Sequence, residues 1–512
     1  MRKFLITEFY DDDWSDAFDK ALTAAGKHDA VICFPKRRYE FRSLPGRKRY
    51  AAISNHNSNM DHPFAMLLEG CRNIELSAET GAEFIMMDRM LIPLIISASE
   101  NITLRGFSID FASELYVQTT VYDAGPDFFE LELETPCNVQ VADGHLLLNG
   151  ELFFGAAEID PETHGLRRGT ALNFREDYPA EIPVSITPGK RIRFEGKLHQ
   201  MPGKDVRMVL RCGKRTTPAL FLEKSKCIQV EDVSIYQAPG MGLIAQTCAD
   251  LTVRKFRTQI APGKKRSWSV CADALHFVNC CGSLLIEECQ LEHQYDDSVN
   301  IHGIYSIAER MLSSGEYLLK RCHHAQAGVP VAIPGNKFRA VDPKTLAARC
   351  EFTAETVEEA DAFHTCLRPF PPNAIPIGSA LENLDWRFSD VVIRNNIMRH
   401  NNPRGILVSS GEHVLIENNL IDVPYAAVYI SGDASDWYES GFVGEVIIRN
   451  NTINACYGGE PSMICAAVQV LPVTSGANTV YHGKIIIQGN HFLNHNIPIA
   501  FVRNTEVLEI IS

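Results

Sequence analysis

Three aspartates in the middle of the chain are the residues whose type and spacing most clearly indicate chemistry. Asp273 and Asp297 are 24 residues apart, and Asp296 directly precedes Asp297. This spacing is about one period of a repeat that runs through the sequence. Since neighbouring strands in a sheet lie about 4.8 Å apart, we expect Asp273 and Asp297 to stack on adjacent rungs. Asp296 should project to a different side, because successive side chains of an extended chain alternate.

Three carboxyl groups this close cannot all ionise freely, so the pKa of one of them should rise. Glycoside hydrolysis uses such a set, because one protonated carboxyl protonates the leaving oxygen while an ionised one activates water or attacks the sugar. We therefore predict Asp273, Asp296 and Asp297 as catalytic residues. A calcium site and exposed turn residues without a role remain open as alternatives. The nearby Asn300 and His302 favour a sugar site, because a hard cation has little use for an imidazole.

Seven further residues are predicted to bind substrate. Asn300 and His302 alternate with apolar neighbours, so both should lie on the face opposite to those neighbours. Arg404 opens a strand about two coils beyond the aspartates, once an insertion is left out. An indole such as that of Trp437 stacks well on the apolar face of a sugar. The alternative for each of them is a structural role, such as a buried histidine, a stacked salt bridge or loop packing. The full set is His276, Asn300, His302, Arg404, Asp433, Trp437 and Glu439.

A repeat of short strands must position these side chains. An apolar strand that ends in paired asparagines recurs, and Asn396 and Asn419 are 23 residues apart, as are Ile228 and Leu251. A second strand type alternates with the first, as in Gly405 to Val408. Such a coil cannot bury its own apolar face, so coils must stack. The pattern predicts an all-β parallel β-helix, whereas a β-propeller would need longer repeats with four strands each.

Asparagines at the bends of successive coils are expected to form side-chain ladders, with Asn395, Asn418 and Asn450 as the candidates. The segment Trp14 to Ala25 has apolar residues at helical spacing and ends at Gly26. We interpret it as a short N-terminal helix that caps the stack.

Two segments break the repeat and divide the chain. We predict β-helix coils over residues 1–112, catalytic coils over 221–304 and C-terminal coils over 386–512. Residues 113–220 and 305–385 are rich in alternating strands without the asparagine turns. They are interpreted as inserted β-rich, barrel-like domains.

Composition excludes several classes of function. The 512 residues carry a formal net charge of −14, which argues against a nucleic-acid partner, because such partners need a basic surface. No apolar run is long enough to span a membrane, and the N-terminus lacks a secretory signal. An odd count of 15 cysteines without a CxxC pair indicates reduced thiols. We expect a cytoplasmic protein, or a secreted or periplasmic one if a signal was removed.

The motif around the aspartates resembles glycoside hydrolase family 110, the α-1,3-galactosidases. It consists of Asp273-Ala274-x-His276-Phe277 and, one coil later, Asp296-Asp297-x-x-Asn300-x-His302-Gly303. Segments similar to the family also occur at Phe34-Pro35-Lys36, Ser99 to Leu104, Pro239 to Gly242 and Ser431 to Gly441. The resemblance covers nearly the whole β-helix and is weak in the insertions.

The resemblance implies a right-handed β-helix with β-barrel insertions and a homodimer. It implies removal of terminal α-linked galactose with inversion, without a metal or other cofactor, from blood-group B type or linear glycans. The layout of the aspartates is similar to that of the polygalacturonases. By that similarity Asp296 is the general acid, and Asp273 and Asp297 activate water. One tension is that rung spacing places Asp273 and Asp297 roughly 5 Å apart, nearer the retaining than the inverting separation.

Three other classes of protein stay open. A polygalacturonase-like hydrolase would need basic residues at its subsites, and none occurs in the segments 272–277 and 296–303. A β-helix polysaccharide lyase would need calcium and a basic residue as the base. A non-catalytic carbohydrate-binding or adhesion β-helix would have little use for three crowded carboxylates.

Overall fold

The computed structural model describes residues 1–56, 60–167, 183–198, 201–213, 215–457, 465–475 and 479–511. Its main body is a β-helix in which successive coils pair in parallel, so the predicted fold class is confirmed. No helix in these described ranges is long and apolar enough to cross a membrane.

Two large sheets form the walls of the β-helix. The strands of the first sheet are Arg2–Leu5, His28–Phe34, Arg38–Phe41, Arg72–Met86, Glu100–Phe111, Lys226–Glu231, Ser234–Ile235, Ala249–Arg254, Arg257–Thr258, Cys281–Glu287, Gln290–Glu292, Phe388–Arg394, Ile397–Arg399, Gly411–Glu417, Leu420–Asp422, Val443–Arg449, Thr452–Asn454, His482–Gln488, His491–Phe492 and Thr505–Ile511. The strands of the second are Lys48–Ala51, Met60–Glu69, Ile92–Ser97, Leu220–Glu223, Leu243–Gln246, Leu275–Val278, Val299–Ile304, Ile406–Val408, Val428–Ile430, Glu439–Ser440, Val468–Val470 and Ala500–Val502.

The period-2 alternation of the sequence explains why these strands share one core. In Phe388–Arg394, Val391 and Ile393 are buried, while Asp390, Val392 and Arg394, which alternate with them, are not. Every coil contributes such residues to a single apolar cluster that runs from Ile6 to Ile487. The stacking of coils therefore buries what a single coil leaves exposed.

An asparagine ladder closes the bends of the C-terminal coils, one residue later than the sequence predicts. Asn395 takes the left-handed conformation at φ 59°, as do Asn418 and Asn450, and this conformation suits asparagine better than most residues. The side chain of the following Asn396 turns inward. Its Nδ2 donates to Oδ1 of Asn419 at 2.9 Å, and Asn419 repeats the contact with the next coil.

The predicted capping helix is confirmed at Trp14–Ala25. The side chain of Asp13 accepts hydrogen bonds from the first turn, and Gly26 ends the helix in the left-handed conformation at φ 69°. Phe18 and Leu22 are buried against the main core, so the helix covers the N-terminal end of the stack.

The two insertions differ in architecture. Strands Tyr116–Ala124, Phe128–Leu133, Val139–Ala142, His145–Leu148, Glu151–Ile159, Val184–Ile186, Ile192–Glu195 and Arg207–Cys212 form an antiparallel sheet with its own core. Strands Ser306–Met311, Tyr317–Arg321, Lys337–Val341, Ala348–Glu359, His364–Phe370 and Ala380–Asn383 close into a barrel. Within the described ranges the antiparallel sheet of the first insertion follows an open path, so barrel closure is seen only in the second insertion. Short 3₁₀ helices lie at Ile6–Glu8 and His324–Gln326.

Candidate active site

Consecutive rungs of the second sheet bring Asp273, Asp297 and Arg404 together. Strand Leu275–Val278 pairs in parallel with Val299–Ile304, which pairs with Ile406–Val408. The backbone N–H of Ala274 donates to the carbonyl of Asp297 at 3.0 Å. The N–H of Arg404 donates to Oδ1 of Asp297 at 3.2 Å. Arg404 therefore lies on the next rung, one coil beyond Asp297 and not two, because the barrel accounts for nearly all of the intervening chain.

A tight turn one coil earlier allows this stacking. Gly242 lies beneath Ala274, and a Cβ at this position would be 2.6 Å from the Ala274 carbonyl oxygen. Only glycine permits such a close approach of two backbones. The Gly242 N–H donates to the carbonyl of Asp273 at 3.0 Å, which fixes the start of that rung.

The three aspartates form one cluster, as their spacing predicts. Carboxylate oxygens of Asp273, Asp296 and Asp297 lie within 4.8 Å of one another. Asp273 and Asp297 are buried, and Asp296 is partly exposed. Burial raises the pKa of Asp273 to about 8, and the neighbouring charge of Asp296 adds to this effect. Burial also raises the pKa of Asp297, while Arg404 opposes the increase. The catalytic roles of the three residues stay predictions.

Two arginines compensate two of the three carboxyl groups. Arg404 Nε donates to Oδ1 of Asp297 at 2.9 Å. The guanidinium of Arg215 donates to Oδ2 of Asp296. Sequence reasoning missed Arg215, which precedes strand Leu220–Glu223 and is 81 residues from Asp296. Its position follows the first insertion, where no repeat is available to place it.

His276 and His302 lie behind Asp273, on the side away from the cavity. Nδ1 of His276 is 2.5 Å from Oδ2 of Asp273, and its Nε2 is 2.9 Å from Nε2 of His302. Both imidazoles are fully buried. Neither lines the cavity formed by the described residues. The geometry therefore supports contact of His276 with Asp273 and of His302 with His276, and not contact of either with a sugar.

The other predicted residues line a cavity of about 240 Å³ that contains the three aspartates. They are Asn300, Arg404, Asp433, Trp437 and Glu439. Three residues that were not predicted from the sequence also line the cavity: Asn55, Tyr429 and Asp436. Asn55 is part of the Ser54-Asn55-His56 segment of the first coils. Its Nδ2 donates to Oε1 of Glu439 at 3.0 Å, a contact across 384 residues that only the fold reveals.

Each of these residues has a distinct environment. The side-chain oxygen of Asn300 is buried and accepts no hydrogen bond from the described residues, so it is available to a hydroxyl group. Asp433 organises its loop, since its carboxylate accepts from the N–H groups of Ser435, Asp436 and Trp437. Trp437 is 43% exposed, and its indole packs against the ring of His323 at a centroid distance of 4.7 Å.

The carboxylate cluster has the spacing of a cation site, but its partners disfavour a metal. A divalent cation would need carboxylate oxygens that are not already compensated. Arg215 and Arg404 donate to two of the three carboxylates, and a cation between them would be repelled by both guanidinium groups. The arrangement suits acid/base chemistry, in which one carboxyl holds a proton and two are ionised.

Known proteins are similar to the chain over most of its length. A family model described as "Right handed beta helix region" matches residues 385–508. An α-1,3-galactosidase A of Shewanella woodyi is 27% identical over 98% of this chain and 83% of that protein. An α-1,3-galactosidase B of Bacteroides thetaiotaomicron is 29% identical over 96% of this chain and 81% of its own length. For an α-1,3-galactosidase B of Akkermansia muciniphila, 27% identical, the shares are 98% and 64%.

The fold and the relatives define a glycoside hydrolase built on a right-handed parallel β-helix. The resemblance to glycoside hydrolase family 110 is thereby confirmed.

Proposed function

We propose that the protein is an exo-acting α-galactosidase that removes a terminal α-1,3-linked galactose with inversion of the anomeric carbon. The observation that carries the proposal is the cluster of three aspartates in the wall of a cavity of about 240 Å³. This volume is below the ~300–1,000 Å³ of pockets for drug-sized ligands, which suits a single terminal sugar. The names of the relatives supply the sugar and the linkage.

In the proposed reaction, a water molecule attacks the anomeric carbon as the glycosidic C–O bond breaks. Asp296 gives its proton to the leaving oxygen. Asp273 and Asp297 activate the water, and one proton passes from the water to this pair. The triad holds one proton before and after the step, so protons balance over a turnover. The two arginine partners support this count, because they compensate two negative charges and leave the third carboxyl neutral.

The separation of the carboxyl groups does not by itself select inversion. Oxygens within 4.8 Å are nearer the ~5–5.5 Å of retaining enzymes than the ~6.5–9.5 Å of inverting ones. That rule describes two carboxyl groups on opposite sides of the bond. With three, Asp273 and Asp297 can hold a water molecule while Asp296 faces the leaving group. The inverting outcome is supported by the family resemblance alone.

Contacts in the cavity favour a neutral sugar. Asn300 offers an acceptor without a partner among the described residues, Glu439 offers a carboxylate, and Trp437 offers an apolar face. Arg215 and Arg404 also lie in the cavity wall, although no basic residue occurs beside the aspartates in the sequence. Both donate to aspartates, so neither is placed to receive the carboxylate of a galacturonide.

Release of galactose tests the proposal. A linear Galα1-3Gal disaccharide, the branched blood-group B antigen and a galacturonide are each incubated with the enzyme and with the Asp296→Asn variant. We expect galactose from at least one of the first two substrates, loss of release in the variant, and no effect of a chelator. Failure on both galactosides would refute the galactosidase proposal, and chelator sensitivity would restore the calcium interpretation.

The stereochemical claim has its own readout. Nuclear magnetic resonance of the first-formed sugar should show β-galactose, and initial α-galactose would contradict inversion. The family resemblance also implies a homodimer, and we include this oligomeric state in the proposal. Light scattering measures whether the protein forms it.

A further inference from the structure

A chain of hydrogen bonds leads from the catalytic cluster into the protein interior. Oδ2 of Asp273 is 2.5 Å from Nδ1 of His276, and Nε2 of His276 is 2.9 Å from Nε2 of His302. At the far end, Nδ1 of His302 is 2.7 Å from the backbone carbonyl oxygen of Gly303. The two histidine side chains have almost no access to solvent.

When both imidazoles are neutral, the carbonyl of Gly303 fixes the direction of every donor in this chain. A carbonyl oxygen only accepts, so Nδ1 of His302 must carry a proton. A neutral His302 then has a bare Nε2, which accepts from the Nε2–H of His276. A neutral His276 in turn has a bare Nδ1, which only accepts. Oδ2 of Asp273 must therefore carry a proton and donate it to His276.

We propose that His276 and His302 are positioning residues that place the single proton of the aspartate cluster on Oδ2 of Asp273. The catalytic consequence rests on the proposed function, whereas the proton positions follow from the hydrogen-bond geometry together with neutral imidazoles and need no substrate. Burial supports a neutral imidazole at His276, because it lowers the pKa of this side chain well below its usual value. Burial also favours the neutral form of Asp273, because it raises the pKa of that carboxyl group.

The protonation state of the structure is then the state that ends a turnover. In the proposed reaction Asp296 loses its proton to the leaving oxygen, and Asp273 gains one from water. The result is an ionised Asp296 beside Arg215 and a protonated Asp273 that donates to His276. The next turnover requires the proton to return from Asp273 to Asp296, which leaves the total unchanged. By accepting a hydrogen bond only from the protonated form, His276 makes Asp273 a stronger base.

The charged and titratable groups around the pair come from several elements. They are Asp273, Asp296, Arg215, His56 and Glu439, of which Glu439 Oε1 lies 3.6 Å from Nε2 of His302. This contact is too long for a hydrogen bond, but it defines the competing state. In that state His302 is doubly protonated, His276 donates from Nδ1, and Asp273 is ionised.

Tautomers of ¹⁵N-labelled histidine distinguish the two states without any change to the chain. We expect His302 as the Nδ1–H tautomer and His276 as the Nε2–H tautomer at neutral pH, assigned by the loss of each signal in His276→Gln and His302→Gln variants. An Nδ1–H tautomer at His276, or a charged His302, would overturn the proposal. Because the measurement needs no substrate, it stands or fails separately from the release of galactose.

Variants test the catalytic consequence. In His302→Phe, His276 can adopt the Nδ1–H form and stabilise the ionised Asp273. The alkaline limb of kcat/KM should therefore move down by about one pH unit, the scale of one charge-assisted hydrogen bond. His302→Gln keeps an acceptor and should restore the limb. KM should not change in either variant, because neither imidazole lines the cavity.

The matched control is His482→Gln, at another buried neutral histidine outside the cavity. Its pH profile should equal that of the wild type. An unshifted alkaline limb in a folded His302→Phe protein would contradict the positioning role, and so would a rise in KM without a shift.

Discussion

Removal of the Arg404 guanidinium should disable the base without disrupting the fold. Arg404→Met keeps the length and apolar stem of the side chain but leaves Asp297 without its charged partner. The Nε of Arg404 is 2.9 Å from Oδ1 of Asp297, whose side chain is 1% exposed. A unit charge pair at about 4 Å in an effective dielectric of about 20 interacts by roughly 4 kcal/mol. Loss of this attraction therefore raises the pKa of Asp297.

The sign of the effect follows from burial. Burial already raises the pKa of Asp297, so loss of the arginine raises it further and leaves the carboxyl protonated at neutral pH. We expect kcat/KM at pH 7 to fall by about 100- to 1,000-fold. Residual activity should increase with pH as Asp297 ionises, until the triad loses its last proton. The loss of stability relative to the wild type should be larger at pH 7 than at pH 5. Above its ordinary pKa, Asp297 ionises in the unfolded chain but stays protonated in the folded variant, so rising pH favours unfolding.

A matched pair one strand away provides the control. Arg399 Nε donates to Oε1 of Glu292 at 2.5 Å, across the same separation of 107 residues, and Glu292 is also buried. Neither residue lines the cavity of the described chain. Arg399→Met should lose comparable stability in chemical denaturation while kcat/KM and its pH profile stay within about threefold of the wild type. If Arg404→Met kept wild-type activity and profile, the pairing of base and arginine would be refuted.

Three further predictions address other parts of the molecule. For the wild type, kcat/KM should fall as pH rises through about 8, because above the pKa of Asp273 the triad holds no proton; a flat profile to pH 10 (roughly the upper limit set by tyrosine and lysine ionisation) would contradict this. Trp437→Ala should raise KM about tenfold with little change in kcat, since stacking on a ring is worth ~0.5–1.5 kcal/mol; an unchanged KM would remove the stacking role. Asn451→Ala should lower the free energy of unfolding by about 3 kcal/mol, because it removes the acceptor of two N–H groups of Asn419 and the side-chain donor to the Ile416 carbonyl. Denaturation at constant activity measures this, and a loss below 1 kcal/mol (about the net value of one hydrogen bond) would argue against the ladder.

The repeat explains how much of the architecture the sequence predicts. A coil of about 23 residues converts a distance along the chain into a distance between rungs, so the spacing of Asp273 and Asp297 was enough to stack them. The same logic identified the strands and the presence of two insertions, whereas apolar residues at helical spacing identified the capping helix Trp14–Ala25. It missed the side chains by one residue in the asparagine ladder, where Asn396 and not Asn395 turns inward. A period locates a bend but does not show which of two asparagines takes the left-handed conformation.

Insertions and loops interrupt the repeat, and there the sequence gives no position in space. Arg404 lies one rung from Asp297 because the barrel of residues 306–383 begins and ends at the same level of the coil. Arg215 and Asn55 reach the cavity from segments with no periodic relation to the aspartates. Their contributions depend on how the non-repeating segments pack against the rungs that carry the three aspartates.

The sequence by itself determined the stack of coils and the cluster of acids within it, because both depend only on a regular spacing along the chain. Only the tertiary structure shows that arginines compensate the charges of Asp296 and Asp297, while Asp273 contacts a histidine. Partners of a buried charge come from whatever surface is packed against it, and those contacts join residues up to hundreds of positions apart. Protonation follows from these contacts, so the chemistry of the three aspartates could be proposed from the sequence but assigned only within the fold.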